Sequence, residues 1–198
     1  MRAFRYGYAG RGTSARGRGH IALTSGVMTE DASAAEFDVV PPIAIPLDDD
    51  AATTRVGAAL GRALKVGDTI LLSGGLGVGK TALARAAISA RLATVGRSDD
   101  IPSPTFTLVQ VYEADIPIWH ADLYRLSAED EVYELGLDEA FETAAALIEW
   151  PDKLGATGPK RALRVELDFG PKGEGRIAVF QPIGSGWADL IDALKAAI

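Results

Sequence analysis

The residues best suited to chemistry run Gly74-Gly75-Leu76-Gly77-Val78-Gly79-Lys80-Thr81. The spacing is G-x-x-x-x-G-K-T, the pattern of a phosphate-binding P-loop. The glycines let backbone N–H groups turn inward on phosphate oxygens without Cβ clashes. Lys80 is placed to reach the outer phosphates, and the Thr81 hydroxyl to ligate Mg²⁺. The context fits the motif. Ile70-Leu71-Leu72 reads as a buried strand, and a helical pattern from Ala82 to Val95 follows, ended by Gly96. The start of that helix would aim the positive end of its dipole at the phosphates. A chance glycine-rich turn is the competing reading, and it requires neither the strand nor the helix.

A P-loop alone only holds phosphate. Transfer or hydrolysis also needs a carboxylate near the metal and a group that positions the nucleophile. Two apolar runs end in such groups. Leu147-Ile148-Glu149-Trp150 ends in Glu149, and Ile116-Pro117-Ile118-Trp119-His120-Ala121-Asp122 ends in His120 and Asp122. Each could also be a solvated acid at a strand end. The hydroxyls of Ser103-Pro104-Thr105-Phe106-Thr107 are placed like a switch loop that senses the outermost phosphate. An ordinary Ser/Thr-Pro turn is the alternative. The chain has no asparagine, so the N-K-x-D guanine-reading motif is absent and ATP is the expected nucleotide.

These groups need a scaffold, and 198 residues at 47% hydrophobic suffice for one ordinary domain plus a further segment. No run of 18 apolar residues occurs, so no membrane-spanning helix is expected. There is no cysteine, which removes disulfides, thiolate metal sites and a Cys nucleophile, and is compatible with a cytoplasmic location. His20 and His120 stand far apart in sequence, which argues against a His-rich metal site.

The net charge of −7 is unevenly spread. Residues 1–29 carry five arginines and no acid, whereas residues 36–198 carry 15 basic and 25 acidic side chains. An acidic body does not favour broad nucleic-acid binding. Residues 1–35 are rich in Gly, Arg, Ser and Ala and have no helical or strand period. They read as a disordered tail, as an artefact preceding a physiological start at Met28, or as a targeting segment, whose amphipathic helix the glycines oppose. Residues 36–198 read as one P-loop domain.

Within that domain, Ile43–Leu47 reads as an edge strand, because Pro46 would break a central ladder. Asp48, Asp49 and Asp50 mark a helix start, and Lys65 and Gly67 its end. Phe106–Tyr112 and Ile116–His120 read as an antiparallel hairpin, as do Leu163–Phe169 and Arg176–Phe180. Ser127-Ala-Glu-Asp130 resembles a capping box opening a helix closed by Gly136. Trp187, Leu190, Ile191 and Leu194 mark a C-terminal amphipathic helix. The expected fold is α/β, a P-loop NTPase-like mixed sheet with a parallel centre, antiparallel hairpins and helices on both faces.

Four blocks in this order resemble the TsaE family of small P-loop ATPases, which act in bacterial tRNA threonylcarbamoyladenosine synthesis. They are Gly74–Thr81, Ser103-Pro-Thr-Phe-Thr-Leu108, His120-Ala-Asp-Leu-Tyr-Arg-Leu126 and Ile148-Glu-Trp-Pro151. The resemblance implies roles. Residues 74–81 and Trp150 would bind ATP. Thr81 and Glu149 would hold Mg²⁺. Asp122, Glu149 and Thr105 would serve turnover. It also implies partners of the TsaD and TsaB type, with tRNA met only through their complex. The product would be the threonylcarbamoyl group on adenosine 37 of tRNAs reading codons that start with adenine. Gly75 departs from the aspartate usual at that position of the family. Two other functions compete. A small-metabolite kinase would use lid arginines, and none lies between Gly136 and Gly158. A nucleotide-binding scaffold would show no turnover.

Overall fold

Continuous apolar runs form the middle of the sheet and alternating runs form one side of it. The computed structural model describes residues 40–127 and 129–198. The leader expected at residues 1–35, and Met28 within it, lie outside the described residues.

Seven strands make one sheet in the order β1-β7-β6-β2-β5-β4-β3. β2 (Thr69–Ser73) and β5 (Ala145–Glu149) lie at the centre and pair in parallel. β4 (Pro117–Asp122) is parallel to β5, and β6 (Ala162–Phe169) is parallel to β2. Both expected hairpins form, β3 (Val109–Glu113) with β4 and β6 with β7 (Arg176–Ile183). β1 (Ile43–Leu47) pairs antiparallel with β7 at the edge, where Pro46 removes no interior ladder bond.

Strand alternation sorts the core into two halves. Ile70, Leu72 and Leu147 join one cluster with α1 (Asp50–Ala63), α2 (Lys80–Thr94) and α5 (Ala188–Lys195). Leu71, Ala146 and Ile148 join the other, with Val132 of α3 (Glu129–Tyr133), Leu137 of α4 (Leu137–Thr143) and Leu154 of a 3-10 segment. Helices thus cover both faces. Each fully buried Leu or Ile contributes about 1.5–3 kcal/mol.

Several details differ from the sequence reading. β3 begins at Val109 rather than Phe106. Leu108 adopts φ 65°, and its N–H donates to Pro104 O at 2.7 Å, so residues 104–107 close a turn instead. α2 starts at Lys80, two residues earlier than expected, because Gly79 at φ 109° supplies the bend. Gly136 ends one helix and opens a further one, α4. The carboxylate reaching back to the Ser127 N–H is Glu131, at 3.4 Å, one residue beyond the expected Asp130.

The helix that carries the P-loop lysine is held by unusually close packing. A Cβ on Gly61 of α1 would lie 1.9 Å from the Ala87 carbonyl oxygen of α2. One on Gly57 would lie 2.5 Å from the Ala86 Cβ. Arg91 of α2 is buried and also ties the two helices. Its Nη1 donates to the carbonyls of Arg62 and Leu64, both at 3.0 Å, at the end of α1. Its Nε and Nη2 grip both oxygens of Asp115 in the β3–β4 turn, at 2.6 and 2.7 Å. Gly61→Ala must push α1 off α2 and should destabilise the fold by about 1–3 kcal/mol in urea unfolding. Gly75→Ala, whose Cβ would meet nothing within 4 Å, should stay within about 0.5 kcal/mol of wild type. Equal stability of the two variants would contradict this packing.

Candidate active site

Parallel pairing brings the C-terminal ends of β2, β5 and β4 to one edge of the sheet. In open α/β sheets, ligands bind outside such strand ends. β2 runs directly into the loop Gly74–Gly79, and the loop opens α2. Gly74 has φ 133°, and a Cβ there would lie 2.3 Å from the Leu167 carbonyl oxygen, so only glycine fits. Gly75 has open space at its Cβ position, so the loop would accommodate an aspartate there.

Lys80 is 4% exposed. Its Nζ donates to the carbonyl oxygens of Gly74 and Gly75, each at 2.8 Å, and stands 3.8 Å from the centroid of the Trp150 ring. Burial lowers the Lys80 pKa below its ordinary value, while Glu149 and then Asp122 draw it back up. At the first turn of α2, Thr81 Oγ1 donates to Glu149 Oε2 at 2.8 Å. The other carboxylate oxygen, Oε1, is 2.9 Å from His120 Nε2.

Asp122 is the direct register partner of Glu149 across β4 and β5. Its Oδ2 accepts from Thr105 Oγ1 at 2.7 Å, and its Oδ1 accepts from the Tyr124 N–H at 3.0 Å. Ser103 Oγ lies 2.8 Å from Thr105 Oγ1 and continues the chain. Arg125 Nη2 donates to the Phe106 carbonyl at 2.7 Å and anchors this loop from outside.

Trp150 follows Glu149 in a left-handed conformation, φ 58° and ψ 52°. A bulky residue there is an outlier that its surroundings must sustain. Its N–H donates to Leu72 O at 3.2 Å, and its ring packs 4.8 Å from that of Tyr124. The turn lays the indole over Lys80.

Lys80, Thr81, Thr105, Asp122, Glu149 and Trp150 therefore line one cavity of about 230 Å³, with Leu76, Gly77 and Gly79 along its loop side. Gly74 and Gly75 meet the site through the carbonyls that hold Lys80. Val78 is buried in the core, and its carbonyl accepts from Arg176 Nε at 3.1 Å. A second cavity of about 340 Å³ shares Gly77 and Gly79 and is lined by Asp48, Asp49, Asp50 and Arg176. A larger groove between α1 and α5, about 590 Å³, is walled largely by alanines and carries no carboxylate. The small cavity is the stronger candidate, because its lysine, hydroxyls and carboxylates converge.

Tyr124 and Arg176 take part in this geometry without a role in the sequence reading, Ser103 joins it through the expected switch-like stretch, and His120, named there only as a strand-end group beside Asp122, proves to be a partner of Glu149. For His120 a signal existed, since it stands two residues before Asp122 on one strand and so shares its face. Arg176 opens β7, a strand separated from β2 by β6, and no local pattern announces its contact with the loop.

A sequence profile of the family "Threonylcarbamoyl adenosine biosynthesis protein TsaE" matches residues 47–176. A Rickettsia felis protein named tRNA threonylcarbamoyladenosine biosynthesis protein TsaE is 34% identical over 152 residues, spanning 76% of this chain and 86% of that protein. A Treponema pallidum protein of the same name is 30% identical over 128 residues, 64% of this chain and 92% of that one. The crystal structure of YdiB from a Bacillus superposes with a TM-score of 0.65 at 23% identity, covering 79% of this chain and 96% of the other, and shows the shared fold. The site and fold thus sit in a sequence whose family is plain, and the chain belongs to the TsaE family.

Proposed function

We propose that the chain binds and hydrolyses ATP with Mg²⁺. In this reading it works with TsaB- and TsaD-type proteins to form the threonylcarbamoyl group on adenosine 37 of tRNAs reading codons that start with adenine. The observation that carries the reading is the convergence of Lys80, Thr81 and Glu149 at the opening of α2, bonded Lys80–loop and Thr81–Glu149.

The loop N–H groups and the Lys80 ammonium bind phosphate oxygens, displacing the Gly74 and Gly75 carbonyls that now occupy Nζ. The second cavity, past Gly77 and Gly79 and beside Arg176 and the acids that open α1, offers space for the nucleoside end. Thr81, Glu149 and Asp122 are hard oxygen donors of the kind Mg²⁺ takes, and phosphate and water oxygens would complete its shell. When bound, that cation neutralises charge developing on the phosphates. Asp122, held by Thr105, orients a water for attack on the terminal phosphorus. The water oxygen bonds to the terminal phosphorus, the bond to the bridging oxygen breaks, ADP leaves with the electron pair, and the proton lost by the water passes to the released phosphate and solvent. Trp150 covers Lys80 and keeps bulk water from the ammonium.

A pull-down with TsaB- and TsaD-type proteins, in ATP, in ADP and without nucleotide, tests the partnership. The expected result is nucleotide-dependent capture, and failure in all three conditions would contradict it.

Lys80→Ala should bind ATP at least about tenfold more weakly in calorimetry without unfolding, since a charge-assisted contact is worth about 1.5–3 kcal/mol. The pH dependence has a definite sign. Burial depresses the Lys80 pKa in the free protein, and bound phosphate favours the ammonium. ATP affinity should therefore fall as pH rises, starting below the ordinary lysine value of 10.5, with proton uptake on binding. Flat affinity through that range would exclude the lysine contact.

Glu149→Ala and Asp122→Ala should retain ATP binding in the absence of Mg²⁺ yet lose most phosphate release in the assembled complex, because positioning and charge neutralisation act on the transition state. Wild-type release by both would remove them from the mechanism. ATP·Mg²⁺ should change the intrinsic fluorescence of the wild type but not that of Trp150→Phe. A signal that persists would point to Trp119 or Trp187.

A further inference from the structure

Glu149 is 1% exposed, and each of its carboxylate oxygens has one side-chain partner among the described residues. One is Thr81, already placed at the phosphates. The other is His120, which the reading above does not use. His120 is fully buried on β4, with Nε2 2.9 Å from Glu149 Oε1. Its Nδ1 is buried and has no hydrogen-bond partner among the described residues. An unpartnered buried nitrogen is unfavourable, and a leucine would fill the place without it. Packing alone therefore does not account for a histidine at 120. A carboxylate offers only acceptors, so Nε2 carries the hydrogen and donates.

We propose that His120 is a positioning residue for the divalent-cation site. By occupying Glu149 Oε1 it fixes the rotation of the carboxylate, so that Oε2 stays on Thr81 Oγ1 and faces the phosphate cradle. The inference rests on the reading of Glu149 as a metal-site carboxylate. Asp122 does not share this support, since its oxygens are held by Thr105 and the Tyr124 N–H. Without the imidazole, the Glu149 side chain keeps only the Thr81 contact and is free to rotate about its terminal bonds. Outer partners of this kind change metal affinity by about 10- to 100-fold when removed.

The test compares wild type, His120→Leu, His120→Gln and His120→Asn in the full chain. ATP affinity is measured by calorimetry, first with Mg²⁺ removed by chelation and then along a Mg²⁺ titration. His120→Leu lacks the donor. His120→Gln places an amide N–H near the position of Nε2, and His120→Asn carries the same amide one methylene short. Mg²⁺-free ATP affinity should stay within about twofold of wild type in all three. The Mg²⁺ concentration at half effect should rise about tenfold in His120→Leu and His120→Asn, and stay within about threefold in His120→Gln.

Identical Mg²⁺ titrations in all four proteins would overturn the proposal. Parallel loss of Mg²⁺-free affinity and melting temperature in every variant would also overturn it, marking His120 as part of the fold only. If His120→Leu fails to fold, the Gln–Asn contrast decides the matter alone. A wild type whose ATP affinity ignores Mg²⁺ would instead bring down the reading of Glu149, and the role of His120 with it.

Discussion

A carboxylate taken almost wholly out of water must find partners for both oxygens, because an unpaired buried charge is strongly unfavourable. Glu149, at 1% exposure, meets that demand with His120 on β4 and Thr81 on α2. The two contacts fix a strand, its neighbour and the start of a helix relative to one another. Everything else in the cavity follows from that junction. Lys80 immediately precedes Thr81, Asp122 is the register partner of Glu149, and Trp150 is the next residue along the chain. The acid that would serve the cation is thus also the acid that assembles the site.

The rest of the fold keeps this junction in place by crowding it. α1 approaches α2 so closely that Gly57 and Gly61 cannot carry a side chain without movement. Arg91 then joins the end of α1 to the β3–β4 turn. Leu108 and Trp150 both sit at positive φ, the only non-glycine residues to do so among those described. Both are at the strand ends that border the cavity. Leu108 O accepts from the Asp122 N–H at 2.9 Å, and the Trp150 N–H bonds to Leu72 O at 3.2 Å. The strained turns are each tied to a strand that contributes to the site, which is where such strain is usually stored.

Much of the architecture was legible because it is written in short-range patterns. Ile70–Leu72 and Ala145–Ile148 are continuous apolar runs, and they are the two central parallel strands. Pro46 marked an edge, and β1 lies at the edge. The P-loop motif located the turn between β2 and α2, because each of its residue types has a local backbone reason. What escaped was non-local. The space that α2 denies Gly61, the ring nitrogen that His120 offers Glu149 and the grip of Arg176 on Val78 O all join residues far apart in sequence. The late start of β3 escaped for a different reason, since Phe106 and Leu108 look like strand residues while a positive φ at Leu108 folds them into a turn. Among the candidate site residues, those fixed by backbone geometry were readable one by one. That Lys80, Thr105, Asp122 and Trp150 share one cavity with Glu149 is a property of the sheet order.

The most direct measurement of the central claim is phosphate release from ATP·Mg²⁺ by the full chain, alone and with TsaB- and TsaD-type proteins, with the nucleotide products identified. The account predicts slow release alone, faster release with the partners, and ADP with inorganic phosphate as the only products. No release under any condition, or transfer of the phosphate to a small molecule, would contradict it.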